Sequence, residues 1–518
     1  MRIKSIVLLL ITASLSLNSM AWPQDNDTES KINNKPIDIE LADEAAIVIE
    51  GTRITLSDAI KKAIDSNQDI LSGKYDVAMS DTGLEKFQSK YGTRLNASGG
   101  VKSADYPDLM WSKYPKNEKS VDLSASISKS FSTGTTVAGG ITDTLAKSNW
   151  ANPAYPDKTN SPVLFLSLEQ ELLKNAFGYN DRSQEKILKN ATLIQKDTII
   201  YGLSLVVVGV IIDYWNVIVS KTHLDNSIMM LQETKKVRRI ISDNVKLGLA
   251  EQFELNYWNS LIASSEAAQS QAEQSYKDAL RKFLQTVNMP GEITMQEKAI
   301  LQYKLPEINS EEAIKKAYLK RADYLNAVRN LENAKNQLDI DGNGALPSLK
   351  GSLKVSSMDY NQSTGDSITN TYTAKYPSYE ARLTMTYPLE DSEQKVNERN
   401  SRWKVEQAKC QLDKYNRIVK DDISSKIEKI NTNHKLYEKA REARIQAEIY
   451  YSKMLLNLRR GRFTAAVVRN SLDALINSRE GELRALVSFN ASLLDFEVSK
   501  NELFETYKID VDKYIPKE

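Results

Sequence analysis

Two hydrophobic patterns succeed one another along this chain. In segments such as 121–127 and 163–168 every second residue is apolar, which predicts strands. The charged tracts 181–245 and 393–458 contain no proline and have helical spacing. At about 1.5 Å per residue, each tract would form a helix on the order of 100 Å long. The pattern predicts an α+β fold that is mostly α.

Shorter helical tracts flank the long ones, and glycines break the pattern between them. Gly248 and Gly461 each follow a long tract, which predicts a turn into a returning helix. Two shorter helices of each half together match the length of one long helix, so stacked end to end they could run beside it. These shorter helices are predicted over 55–91, 251–287, 310–341 and 464–505.

The chain also repeats itself at a fixed offset. The sequence 59–63, Ala-Ile-Lys-Lys-Ala, recurs at 313–317. The offset continues from a helical stretch into an alternating one, which a shared amphipathic pattern alone would not produce. We expect a first structural repeat over 45–299, a second over 300–507, and a C-terminal tail over 508–518. The same offset pairs Asp69 with Asp323, Leu71 with Leu325, Leu95 with Leu349, Ser98 with Ser352, and Tyr106 with Tyr360.

The first residues have the features of a secretory signal. Arg2 and Lys4 precede the apolar run 6–11, and Ala21 ends a small-x-small cleavage pattern. We therefore predict a signal peptide over 1–21, followed by a polar leader over 22–44. The single cysteine, Cys410, excludes a disulfide within one chain, and we expect it to be packed in a helix.

Composition excludes some classes of protein. The chain has 69 Lys and Arg against 68 Asp and Glu, a net charge of +1 that does not suit a generally basic nucleic-acid binder. The apolar stretch 203–219 is interrupted by polar residues, so a helix buried by its neighbours is the better interpretation than a membrane span. We expect no nucleic-acid partner.

Candidate chemistry is sparse. His223 and His434, the only two histidines, lie far apart, so no catalytic set, metal site or cofactor is predicted and the chain is not expected to be an enzyme. Residues 339–344 match the start of a calcium loop, but its twelfth position is Lys350 rather than Glu. A helix end before Pro347 is the preferred interpretation.

The strands fit two environments. An apolar face opposite a small polar face suits a transmembrane barrel, but a soluble sheet over a core alternates in the same way. Aromatic residues in the loops favour the membrane, where they form interfacial belts. Two copies of a few strands are too few to close around a water path, so several chains would contribute. The loop aromatics are Tyr106, Trp111, Tyr114, Trp150, Tyr155, Tyr372 and Tyr376.

With these features the chain resembles the TolC-like outer-membrane efflux proteins. The resemblance rests on the repeated opening 56–60 with Asn67, the glycine-centred turns 245–251 and 458–464, and the strand ends at 170–173 and 387–389. It implies a homotrimer with one shared outer-membrane β-barrel. It also implies a periplasmic tunnel of antiparallel helices that docks a periplasmic adaptor (membrane fusion) protein and an inner-membrane transporter.

The resemblance further implies a gate and an adaptor-docking surface at the two turns. Family members often carry acidic residues after the second turn, but Val467 and Asn470 stand six and nine residues after Gly461. Glu254 is the remaining acidic candidate. The expected gate and docking residues are Lys246, Gly248, Leu249, Glu254, Arg460, Gly461, Arg462, Phe463, Val467 and Asn470.

Two further departures from the family pattern bear on the barrel. Glu171 stands where the family usually has proline, and 121–131 with 135–143 form an added hairpin that could widen the barrel or lie outside it. The function expected is a passive export duct in the outer membrane of a Gram-negative-type cell, in contact with outer-membrane lipid. The alternative is a periplasmic coiled-coil tether with a β head and no pore.

Overall fold

The computed structural model describes residues 47–49, 52–110, 113–248, 250–289, 293–294, 301–390, 392–460, 462–507 and 509. The predicted signal peptide 1–21, the leader 22–44 and all of the tail 508–518 except Ile509 lie outside the described residues. The repeat boundaries 45–299 and 300–507 stay a prediction.

Two helices of 68 residues dominate the fold. At 1.5 Å per residue each is about 100 Å long, as the sequence predicted. The described helices are α1 (Leu56–Ser66), α2 (Gln68–Ala78), α3 (Thr82–Gln88), α4 (Tyr179–Lys246), α5 (Gln252–Thr286), α6 (Ser310–Lys320), α7 (Ala322–Gly344), α8 (Thr364–Tyr372), α9 (Ser392–Arg459), α10 (Ala465–Lys500) and α11 (Leu503–Thr506).

The shorter helices pack along the long ones. α1, α2, α3 and α5 contact α4, whereas α6, α7 and α10 contact α9. The expectation that two shorter stretches lie beside each long helix is therefore confirmed. α7 also packs against α4, and α10 against α4, which joins the two halves.

The predicted helices 55–91 and 310–341 are each broken, which the sequence analysis missed. At Asn67 the backbone is extended, and its side-chain oxygen accepts from the N–H groups of Asp69 and Ile70. The same side chain donates to the carbonyl of Thr286 at 2.7 Å. An Asn that caps a new helix while bonding a neighbour favours a break over a continuous helix.

Six long strands form one antiparallel sheet in the order β3-β4-β5-β6-β8-β9, and three short strands form another in the order β2-β1-β7. The hairpin that the sequence could not place, β4–β5, therefore lies within the sheet, between β3 and β6. The strands are β1 (Ile47–Ile49), β2 (Thr52–Ile54), β3 (Arg94–Asp105), β4 (Asn117–Ser130), β5 (Thr135–Asn149), β6 (Lys158–Glu171), β7 (Ile293–Thr294), β8 (Ser348–Met358) and β9 (Pro377–Thr386).

The buried cores lie among the helices. The largest cluster surrounds the apolar part of α4, where Val207, Val210, Ile211 and Val217 are fully buried against α1, α2 and α5. Of the described helices, this one is long and apolar enough to cross a membrane, but more than half of its apolar window is buried. The interpretation as a helix buried by its neighbours is confirmed.

The duplication predicted from the 254-residue offset is visible in the helix starts. Thr55 caps α1 by accepting from the N–H of Asp58, and Asn309 caps α6 by accepting from the N–H of Glu312. Ala63 and Ala317, which the offset also pairs, are both completely buried. Residues paired by the offset therefore cap α1 and α6 in the same way and are buried at the same position in the two helices.

Candidate functional site

The six-stranded sheet has one mainly apolar face that extends across every strand. Asp143 and Asn160 are polar members of this face, toward the end of the sheet remote from the long helices. Because opposed residues in antiparallel strands point to the same side, the register fixes the members of each face. One row of this face consists of Leu95, Ile127, Gly139, Leu166, Val355 and Tyr379.

The large side chains of this face are exposed. Leu95 is 73% exposed, and Tyr379 at the other edge of the sheet is 77% exposed. The three core clusters of the described residues contain no residue of these six strands. An apolar surface of this extent requires a non-aqueous neighbour. Its exposed members are Leu95, Val101, Val121, Leu123, Ile127, Leu166, Leu168, Leu353, Val355, Tyr379, Leu383 and Met385.

The opposite face of the sheet is polar and combines small hydroxyl side chains with charged ones. Ser98 and Ser124 form a hydrogen bond of 2.7 Å between β3 and β4. Lys350 on β8 forms a 3.0 Å ion pair with Glu169 on β6. Small hydroxyl members of this face include Ser98, Ser120, Ser124, Ser126, Ser128, Thr142, Thr144, Ser167, Ser352, Ser356, Ser378 and Thr384.

Predicted belt aromatics gather at the end of the sheet remote from the long helices. Tyr106 stacks on Tyr114 with ring centroids 5.1 Å apart, and Trp150 stacks on Tyr155 at 4.6 Å. The first pair joins β3 to β4 and the second joins β5 to β6. The β8–β9 connection carries the exposed Tyr372 and Tyr376, whereas Trp111 lies outside the described residues.

The first helical turn is closed by a left-handed glycine. Gly248 has φ +69, and its N–H donates to the carbonyl of Val245 at 3.0 Å, as in a Schellman ending. Lys246 is exposed and pairs with Asp243 at 3.4 Å. Glu254, on the first turn of α5, is half-buried. Leu249 lies outside the described residues.

The second turn presents a basic and aromatic surface. The N–H of Arg462 donates to the carbonyl of Asn457 at 3.0 Å, which also follows the Schellman pattern. Arg460, Arg462 and Phe463 are exposed, and Phe463 exposes 45% of its surface. On α10, Val467 is half-buried and Asn470 is exposed. Gly461 lies outside the described residues.

A shared core brings the two turns to the same end of the helices. Trp258, two turns into α5, is 1% exposed and belongs to one cluster with Leu458, Ala465 and Val468, which flank the second turn. A hydrogen bond also links the two long helices nearby. The hydroxyl of Tyr451 on α9 donates to Glu233 on α4 at 2.5 Å.

The sequence analysis missed Trp258, Tyr451 and Glu233. Burial, together with the carboxylate of Glu233, raises the pKa of the Tyr451 phenol, so this hydroxyl stays protonated and able to donate. No sequence signal identifies the pair, because its members are 218 residues apart. Only the packing of α4 on α9 joins them.

The remaining candidate chemistry is sparse within the described residues. They contain no group of three His, Cys, Asp or Glu side chains arranged to hold a metal. The calcium-like segment 339–344 is the end of α7, as preferred, and β8 follows from Ser348. Cys410 lies on α9 but is exposed, so the expectation of a packed cysteine was wrong.

Comparison with known proteins identifies the fold. No protein-family profile and no curated protein sequence matches the chain. Solved structures do match: the Campylobacter jejuni CmeC outer membrane channel is 13% identical, with a TM-score of 0.61 over 95% of this chain and 97% of CmeC. The Neisseria gonorrhoeae MtrE outer membrane channel, solved in its open state, is 12% identical, with a TM-score of 0.61 over 94% and 97%. The Vibrio cholerae outer membrane protein VceC is 11% identical, with a TM-score of 0.61 over 86% and 95%.

Proposed function

We propose that this chain is the outer-membrane channel of a tripartite efflux or secretion system. The observation that carries the proposal is the six-stranded sheet with one mainly apolar, exposed face and one polar face rich in hydroxyl side chains. Its strands have 10 to 15 residues, enough to cross a hydrocarbon layer when tilted. The fold shared with CmeC, MtrE and VceC supports the same function.

The sheet edges support assembly into a homotrimer. β3 and β9 are the two edges, and each has unpaired backbone groups that lipid cannot satisfy. The strands alternate in direction, so β9 of one chain meets β3 of the next in antiparallel orientation. Repetition of this contact closes a ring, with lipid outside and water inside.

The duct is passive. The helices continue the water path into the periplasm, where the turns at Gly248 and Gly461 form its far end. The exposed Arg460, Arg462 and Phe463 provide a basic and aromatic surface for a periplasmic adaptor protein, which in turn recruits an inner-membrane transporter. Cargo crosses without chemical change.

The gate of this duct consists of the two helical hairpins at the turns. The buried Trp258 cluster holds the hairpins together, and the Tyr451–Glu233 hydrogen bond ties α9 to α4. Opening requires a second packing of these hairpins that an adaptor contacts more favourably than the first. Lys246, Glu254, Val467 and Asn470 flank this region, and Leu249 follows Gly248 in the sequence.

Single-channel recording tests the proposal. The detergent-extracted chain, whose mass is measured by light scattering, is inserted into a planar lipid bilayer. We expect trimers with small, rare openings in the wild type and more frequent openings in Tyr451→Phe, which removes the bond between the hairpins. A monomer that never conducts, even as Tyr451→Phe, would support the tether alternative instead.

A second tyrosine supplies the matched control. The hydroxyl of Tyr318 on α6 donates to the carbonyl of Asn416 on α9 at 2.8 Å. Tyr318→Phe also removes one hydroxyl that joins two helices, but at a site far along the chain from both turns. We expect it to leave the opening frequency unchanged. Equal effects of the two variants would place the gate elsewhere.

A further inference from the structure

The β4–β5 hairpin is paired with the rest of the sheet along nearly its whole length. β4 pairs with β3 from Arg94↔Ser128 to Asp105↔Asn117. β5 pairs with β6 from Thr135↔Gln170 to Lys147↔Lys158. A hairpin lying outside the sheet would leave β3 free to pair with β6, and the register shows no such contact.

Both faces of the hairpin continue those of its neighbours. On the apolar face, Leu123 and Ile127 of β4 point to the same side as Leu95 of β3 and Leu166 of β6. On the polar face, the hydroxyl of Thr144 donates to Asp122 at 2.8 Å. A one-residue slip would exchange the faces, so the continuity fixes the hairpin in the plane of the sheet.

The turn of the hairpin is held against the start of α4. The carbonyl of Gly134 accepts from the N–H of Glu171 at 3.2 Å, and the side-chain amide of Gln170 donates to the carbonyl of Thr133 at 3.0 Å. A Cβ at Gly178, which precedes α4, would lie 1.7 Å from the carbonyl oxygen of Ser132. The backbone of this turn therefore touches the junction between sheet and helices.

Resting on the proposed trimeric duct, we infer that each hairpin is part of the barrel wall and that three sheets of six strands close as eighteen. β9 of each chain pairs with β3 of the next copy. The partner of each edge is thus a second copy of this chain. The inserted hairpin widens the wall by two strands per chain.

An eighteen-stranded barrel is compatible in circumference with the helical part of the duct. Four helices per chain lie side by side at each level, because stacked short helices accompany α4 and α9. Twelve helices spaced about 9 Å apart need a circumference of about 110 Å. Strands about 4.8 Å apart and tilted by about 40° give about 110 Å for eighteen and about 75 Å for twelve. The two estimates for eighteen strands and twelve helices therefore agree.

The wider wall also sets the width and the lining of the bore. Eighteen strands give a backbone-to-backbone diameter of about 35 Å. The face that would line it carries small hydroxyl side chains together with charged ones such as Lys350, Glu169 and Arg382, so the bore would be lined by polar groups.

Thiol labelling tests the position of the hairpin. In a Cys410→Ser background, single cysteines are introduced as Ile127→Cys on the apolar face of β4 and Ser126→Cys on its polar face. The full-length trimers are reconstituted in phosphatidylcholine vesicles and treated with a membrane-impermeant maleimide. We expect position 126 to react at least tenfold faster than position 127, with equal rates after the vesicles are dissolved and the chain is unfolded.

Two control positions separate the inference from the proposed function. Leu353→Cys and Ser352→Cys lie on the apolar and polar faces of β8, which belongs to the wall with or without the hairpin. Protection of 353 together with equal labelling of 126 and 127 would overturn the inference and leave the channel intact. Equal labelling at 352 and 353 would overturn both. If Ile127→Cys does not assemble, Leu123→Cys on the same face replaces it.

Discussion

Asn288 and Asn501 make the same joint in the two repeats. Each adopts the left-handed backbone conformation, with φ 50 and φ 58, at the end of a helix that returns from a turn. The side-chain amide of Asn288 donates to the carbonyl of Ser66 at 3.0 Å, and that of Asn501 donates to the carbonyl of Lys320 at 2.9 Å. Ser66 and Lys320 are the last residues of α1 and α6. In each repeat one Asn thus ends the returning helix (α5 or α10) and holds the end of the short helix that opens the repeat (α1 or α6) beside it.

Substitution of Asn501 separates these two roles. Asn501→Gly keeps the left-handed backbone and loses a hydrogen bond of about 1 kcal/mol, whereas Asn501→Ala adds about 1–2 kcal/mol of backbone strain. We expect the midpoint of thermal unfolding to fall in the order wild type, Gly, Ala. Equal midpoints for Gly and Ala would show that the backbone conformation contributes nothing.

The joint also shows what the sequence could predict. The 254-residue offset aligns Ser66 with Lys320, although the sequence analysis did not identify either residue as part of a joint. Asn288 and Asn501 are not related by that offset, because the strand-bearing segments of the two repeats differ in length. Long helices and turns follow from local pattern. The break at Asn67 is held by its hydrogen bond to Thr286, and the break at Arg321, between α6 and α7, by an ion pair with Asp422 at 2.7 Å. Both partners are distant in sequence, so these breaks could not be predicted.

Some features of the candidate site could likewise be predicted from local sequence, whereas others depend on contacts between distant residues. Both turns could be predicted because a glycine interrupts the helical pattern at each one. At Gly248 the backbone has the left-handed conformation that few other residues adopt. Alternation predicted β4 and β5 but could not choose their neighbours, because strand order is set by pairing over long sequence distances. Trp258 and Trp403 look alike in sequence, yet one is 1% and the other 62% exposed.

Loss of Trp258 is expected to destabilise the gate end of the helices. Trp258→Ala removes a large side chain from the cluster that both hairpins share, at a cost of about 3–5 kcal/mol in the free energy of unfolding. Trp403→Ala, on the exposed face of α9, is expected to cost less than about 1 kcal/mol. Urea unfolding followed by circular dichroism measures both. Similar losses for the two variants would contradict the central position of Trp258.

Two glycines should respond to alanine with opposite sign. Gly248 has φ +69 and no neighbour within 4 Å of an added Cβ, so Gly248→Ala adds strain of about 1–2 kcal/mol without a clash. Gly202, inside α4, also has no neighbour within 4 Å, so Gly202→Ala should stabilise the chain by about 0.5–1 kcal/mol. Differential scanning calorimetry on both variants checks the signs. A gain in stability for Gly248→Ala would refute the left-handed turn.

The contact between His223 and Glu480 should make stability depend on pH. His223 Nδ1 lies 3.0 Å from Glu480 Oε1, which raises the pKa of His223 above its ordinary 6.5 although burial opposes the shift. The same hydrogen bond lowers the pKa of Glu480 below its ordinary 4.5. The His223 contribution is complete below about pH 6.5 and is lost as pH rises through its folded pKa. The Glu480 contribution is present above about pH 4.5 and is lost as pH falls through its folded pKa.

The thermal midpoint of the wild type minus that of His223→Gln should therefore be largest between about pH 4.5 and 6.5 and shrink toward pH 8.5. Glu480→Gln removes the partner, so its difference from the wild type should follow the same profile. A difference that is flat from pH 5 to 8.5, or that grows with pH, would show that the contact does not contribute in this way.

Gly140 is the position in the hairpin where a side chain should be least tolerated. A Cβ there would lie 2.5 Å from the carbonyl oxygen of Ala125 and 2.7 Å from Cα of Ser126, so β4 and β5 would have to move apart. Gly100, on the same polar face in β3, has no atom within 4 Å of an added Cβ. We expect Gly140→Val to reduce the yield of detergent-stable trimer several-fold and Gly100→Val to leave it near the wild-type value, measured by light scattering after extraction.

Because the hairpin joins β3 to β6, forcing its strands apart should open the barrel wall. A Gly140→Val trimer of normal yield and conductance would mean that the wall does not depend on this hairpin.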